Sequence, residues 1–141
     1  MRPTPSGSTE LSARAHLQGA DANLAFGSGL VGASPEDPVA IGWAITALFY
    51  AAVHEARAYL VARHGRRIVA HDDMRAVWDS HPEMRAGRTP YTELKQQSES
   101  ARYYLNRAFV ASDFSFLAER YGAVRSVLRA KTERAIRDAG G

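Results

Sequence analysis

Apolar residues recur along the chain at steps of three and four, the spacing of one helix face. No stretch shows the two-residue alternation of a half-buried strand. The pattern predicts an all-α fold of one domain. The first helix is expected from Glu10 to Phe26, with Thr9 or Ser12 as its cap and Gly19 as a weak point in the middle. Residues 1–8 hold Pro3, Pro5, Ser6, Gly7 and Ser8 and read as a loose tail, which leaves a single domain over residues 9–138. Gly27, Gly29 and Gly32, followed by Pro35 and Pro38, predict a loop of about ten residues. It lacks the Gly-Lys-Ser/Thr ending of a phosphate-cradling P-loop and follows a helix rather than a strand.

The second helix, Pro38 to His64, is the expected spine. Its first three turns are apolar nearly all round, which marks a helix buried among others. Trp43, Tyr50, His54 and Arg57 fall on one side; Ile45, Leu48, Phe49 and Ala52 fall on the other. Gly65 stands where a left-handed cap is expected. A short third helix, His71 to Ser80, points Met74, Val77 and Trp78 inward and stops at His81-Pro82; Glu83 to Pro90 reads as a polar loop. The fourth helix begins at Thr89-Pro90 and extends to about Ala111, carrying Tyr91, Leu94, Ser98, Arg102, Leu105 and Phe109 on one stripe. Ser112-Asp113 is expected to cap a fifth helix from Phe114 to Arg137, with Phe114, Leu117, Tyr121, Val124 and Leu128 inward.

Composition narrows the class without naming a function. With 141 residues, 45% hydrophobic and 23% charged, the chain suits one folded domain. It has no cysteine, so disulfides, thiolate metal sites and cysteine nucleophiles are excluded. The first ten residues lack the apolar core of a secretory signal. The longest mostly apolar run, Val39–Val53, is short of a bilayer span and is followed at once by His54, Glu55 and Arg57. A cytoplasmic domain with no membrane partner is the expectation. Net charge is +3, and all 18 basic residues except Lys95 and Lys131 are Arg. Arginine suits phosphate through its planar fork, but a balance this small is no nucleic-acid signature by itself.

The candidate chemistry is sparse. His54 sits among aromatic and basic neighbours and reads as a core histidine hydrogen-bonded to another helix, with general acid or base work as the functional alternative. His64, His71 and His81 are scattered, and no spacing sets two ligands on one helix face, so neither a metal nor a cofactor is expected. Ser98 lacks the glycine-flanked elbow of a serine nucleophile. The basic last helix reads as a solvated face, with tracking of a phosphate backbone as the alternative.

The run Trp43-Ala-Ile-Thr-Ala-Leu-Phe-Tyr-Ala-Ala-Val-His54-Glu-Ala-Arg-Ala-Tyr-Leu60 resembles the central helix of HEPN domains. His71-x-x-x-Arg75 and then Tyr91-x-x-Leu94-x-x-x-Ser98-x-x-x-Arg102-Tyr103 continue the resemblance in order and spacing across about residues 11–110. HEPN domains are small all-α domains of prokaryotic toxins, defence systems and partners of minimal nucleotidyltransferases. The resemblance implies a four- to five-helix up-and-down bundle, often a homodimer. Many members cut RNA without a metal, through an Arg and a His four to six residues apart. Arg66 and His71 are the candidates here for that pair, and Arg57–His64 and Arg75–His81 have compatible spacings. The fourth helix, where the ribonucleases usually carry the motif, has no His. The resemblance therefore favours a non-catalytic module that binds a protein partner, nucleotide or RNA, in a toxin–antitoxin or defence setting. A homodimeric ribonuclease and a structural subunit of a larger complex are the alternatives. In the module reading His54, His71, Ser98 and Arg102, with Arg57, Arg75 and Tyr103 around them, form an internal polar cluster joining the second, third and fourth helices.

Overall fold

The computed structural model describes residues 7–67, 73–103 and 108–140, with the side chains of 7–10, 73 and 140 left aside. Over these residues the chain is an all-α bundle: α1 (Gly7–Ala33), α2 (Pro38–His64), α3 (Asp73–Ser80), a 3-10 helix (Pro82–Gly87), α4 (Arg88–Tyr103) and α5 (Ala111–Gly140). No strand occurs among the described residues. Helix α2 is the spine, packed against α1, α4 and α5. By length and composition α2 passes for a membrane-crossing helix, yet 72% of its most apolar window is buried by the other helices.

The glycine-rich stretch is the largest departure from the sequence expectation. Gly27, Gly29 and Gly32 all lie within α1, and the connection to α2 shrinks to residues 34–37. Gly27 is buried at the crossing with α2. A Cβ there would stand 3.0 Å from the Ala44 carbonyl oxygen and 3.3 Å from the Phe114 ring. The missing side chain lets three helices meet, and that packing outweighs glycine's low helix propensity. Ala13, Leu17, Ala20, Leu24, Gly27 and Val31, at alternating steps of four and three, form the α1 face that meets α2.

Asp37 starts α2 by accepting a hydrogen bond from the Val39 N–H at 2.9 Å, with Pro38 in the first turn. Gly65 ends it in the left-handed region at φ 62°, its N–H reaching back to α2 carbonyls. Met74, Val77 and Trp78 are fully buried, as the α3 stripe predicts. The expected polar loop after His81 is instead the 3-10 helix, because Met84 is an anchor buried in the core and Gly87 lies directly beneath Trp78. The expected run of α4 to Ala111 also fails. Residues 108–110 are non-helical, since the Asp113 carboxylate accepts the Val110 N–H at 2.8 Å and the Asp113 N–H donates to the Val110 carbonyl. That reciprocal cap starts α5 at Ala111, three residues earlier than expected. Leu105 lies outside the described residues.

Candidate functional site

Three polar groupings stand out among the described residues, and the third lines a cleft. The first ties α1, α2 and α5 together. Glu55 is completely buried on α2 and receives Arg129 Nε at 2.8 Å, a second bond from Arg129 Nη2, and the Tyr121 hydroxyl at 3.2 Å. Arg129 also donates to Asp21 of α1 at 2.9 Å. That bond holds the Asp21 carboxyl below its usual range, while burial, aided by the Glu55 charge, pushes the Tyr121 hydroxyl up to about 12. Both Glu55 oxygens are satisfied, so this is a closed structural tie. Helical periodicity reads Glu55 only as a charge closing an apolar run. The signal available was its place in the middle of a buried helix, where a carboxylate needs a cation from another element.

The second grouping is where the internal polar cluster was expected. Arg102 donates from Nε to the Ser98 carbonyl at 3.2 Å and from Nη1 to the Tyr50 hydroxyl at 3.3 Å. Its guanidinium lies over the Tyr103 ring at 5.2 Å. Ser98, Arg102 and Tyr103 are thus brought together, joined to α2 through Tyr50. His54 does not belong to this group. It is half-buried and faces α1, its Nδ1 3.0 Å from Nδ1 of His16, with Gly19 packed against its ring. His54 points to α1 because Gly19 leaves room for its imidazole there, which corrects the expected pairing with Arg102 or Ser98. Burial, the facing ring and the charges of Arg57 and Arg67 lower the His16 pKa to about 4. Burial and Arg57 lower that of His54, against the opposing pull of Glu55. Arg57 is half-buried on the same side of α2, and Arg75 is exposed on α3. His71 lies outside the described residues, and Arg66 is exposed just after the α2 cap.

The third grouping joins residues far apart in sequence. His64 is the last residue of α2, fixed by the Gly65 cap; His81 precedes the 3-10 helix; Glu83 stands in its first turn. One carboxylate oxygen, Glu83 Oε1, lies 3.1 Å from His64 Nε2, 3.6 Å from His81 Nδ1 and 3.1 Å from the Tyr59 hydroxyl that donates to it. The two imidazoles lie 4.5 Å apart between centroids. Glu83 is held below the usual carboxylate range: partial burial opposes its ionisation, but its own backbone N–H, His64, Tyr59 and His81 outweigh that. Burial and the bond to Glu83 push the Tyr59 hydroxyl up to about 12.

His64 and Glu83 line a cleft of about 480 Å³ with Tyr59, Arg63, Lys131 and Arg134. Lys131 comes from α5, and its ammonium donates to the Val127 carbonyl at 2.9 Å and toward the Glu83 carbonyl at 3.5 Å. Asp138 also lines the cleft. Neither Arg63 nor Arg134 has a hydrogen bond or ion pair among the described residues, and Lys131 is met only by carbonyls. Sequence spacing could not find this cleft, because its floor comes from two elements and its basic wall from a third. A scan against family models finds no match for the chain, and neither the curated proteins nor the solved structures yield one.

Proposed function

We propose that the chain is a non-catalytic helical binding module, of the kind the HEPN resemblance suggests, and that it takes a phosphate-bearing ligand, a nucleotide or an RNA end. The observation that carries this reading is the meeting of Arg63, Lys131 and Arg134 in one cleft with no carboxylate within ion-pair distance of any of them among the described residues. Arg88, Arg120 and Arg125 each hold an acidic partner, and Arg66, Arg75, Arg85 and Arg137 have none among the described residues; what marks the cleft is three cations together. Guanidiniums bind phosphate oxygens in pairs, and an ammonium adds a point charge. Glu83 and Asp138 set two negative charges in the same cleft against the three positive ones, which leaves its lining at +1. At about 480 Å³ the cleft has the volume of a small-ligand site.

The test is fluorescence anisotropy with a short labelled oligoribonucleotide carrying a 5′-phosphate, compared with its 5′-hydroxyl twin. The phosphorylated probe should bind more tightly, and the Lys131→Glu/Arg134→Glu double variant should weaken it about tenfold or more. Equal binding of both probes by wild type and variant would refute the reading. In EDTA the RNA should stay intact; cleavage there would favour the ribonuclease alternative.

A further inference from the structure

We propose that His64, His81 and Glu83 form a divalent transition-metal site of the Zn2+ class at the floor of the cleft. The ligand atoms of all three lie within 4.8 Å of one another. Bonds of about 2.0–2.2 Å to a tetrahedral metal set neighbouring ligand atoms about 3.3–3.6 Å apart. The carboxylate oxygen is close to that spacing toward both rings, at 3.6 Å from His81 Nδ1 and, slightly short of it, 3.1 Å from His64 Nε2. The donor atoms of the two rings also lie within 4.8 Å of each other. His81 presents Nδ1 to the group, because its Nε2 is turned into the protein.

The donor chemistry selects the metal class. Two imidazoles and one carboxylate, with no thiolate anywhere in the chain, suit Zn2+, Co2+ or Ni2+ and disfavour Ca2+ and Mg2+, which want oxygen cages. The ligands sit on fixed backbone: the capped end of α2 and the first turn of the 3-10 helix. The Tyr59 hydroxyl donates to Glu83 and orients the carboxylate, the supporting role an outer hydrogen bond plays in metal sites. Three protein ligands leave a fourth position, and His64 and Glu83 open it toward the cleft. Lys131, 3.5 Å from the Glu83 carbonyl, repels a bare cation, so the site favours a metal that carries an anion in that fourth position. The proposal goes beyond the phosphate reading and does not depend on it, since metal binding is measured with no phosphate ligand present.

The experiment uses the full chain, stripped with EDTA and exchanged into chelator-free buffer. Co2+ is titrated while visible absorption is followed, and Zn2+ is then added. The expected result is one Co2+ per chain with the intense bands of a four-coordinate complex, abolished on Zn2+ addition. Glu83→Gln keeps the size of the side chain and should weaken Co2+ binding about tenfold or more, as should His81→Ala. His16→Gln, at the other histidine pair, should leave the titration unchanged. Circular dichroism without metal confirms that each variant is folded. A weak six-coordinate spectrum in wild type, or equal binding by wild type and a folded Glu83→Gln protein, overturns the proposal. Loss of the signal in His16→Gln with its retention in His81→Ala does so too.

Discussion

Replacing Arg129 with Met tests the tie that fixes α5 to the spine. Glu55 is fully buried and Arg129 only 13% exposed, while the Asp21 side chain is 53% exposed. The Asp21 contact is therefore screened by water and contributes about 0–1 kcal/mol. The Glu55 contact lies in the interior. Arg129→Met leaves the Glu55 carboxylate buried with only the Tyr121 hydroxyl, and stranding one member of a buried pair costs about 3–5 kcal/mol. Glu55→Leu is milder, about 2 kcal/mol, because the guanidinium keeps Asp21 and some water. In the Glu55→Leu/Arg129→Met double variant no charge is stranded, and stability should return to within about 1–2 kcal/mol of wild type. The assay is equilibrium urea unfolding followed by circular dichroism, read as a double-mutant cycle with unchanged denaturant slopes. A cost below about 1 kcal/mol for Arg129→Met, or additive losses in the double variant, would refute the reasoning.

Two further consequences concern packing and pH. Gly87→Ala places a Cβ 2.6 Å from the fully buried Trp78 ring and should cost about 1–3 kcal/mol, visible as a lower midpoint in urea and a red shift of tryptophan emission; an unchanged midpoint would contradict the contact. His16 has its folded pKa lowered from 6.5 to about 4, so between these values the unfolded chain binds the extra proton. The stability contributed is present above pH 6.5 and lost as pH falls toward 4. The full shift corresponds to about 3 kcal/mol, and water reaching the half-buried ring reduces it to about 1–2 kcal/mol. Urea midpoints measured from pH 7.5 to 4.5 should fall in wild type and fall less in His16→Gln; parallel curves would contradict the account.

What the sequence made legible was whatever one helix records by itself. The stripes Met74–Val77–Trp78, Tyr91–Leu94–Ser98 and Phe114–Leu117–Tyr121–Val124–Leu128 all fall in the core. The Asp37-Pro38 start and Gly65 end of α2 also stand where local stereochemistry places them. What stayed hidden depends on a partner in another element. Gly27 looks like a breaker until Ala44 and Phe114 close on it. Trp43 falls on an apolar helix but is 58% exposed, because Ile41, Ala44 and Ile45 take the inward faces of that turn. Glu55 finds its cation 74 residues away. His64 and His81 look unrelated by spacing, yet the fold sets their rings 4.5 Å apart between centroids. The HEPN resemblance was carried by residues 43–60 and 91–103, with His71 and Arg75 between them. The charged residues of the cleft, Arg63, His64, Glu83, Lys131 and Arg134, are none of those that carried it.

The central claim is that the cleft of Arg63, Lys131 and Arg134 holds a phosphate. Titration of the 15N-labelled protein with a nucleoside monophosphate, followed by amide and arginine side-chain NMR shifts, reads this residue by residue. The account predicts saturable shifts concentrated at 59–65, 82–84 and 127–138, with Arg63 and Arg134 Nε–H among the largest. Shifts centred instead on Tyr50, Arg102 and Tyr103, or none at millimolar ligand, would contradict it.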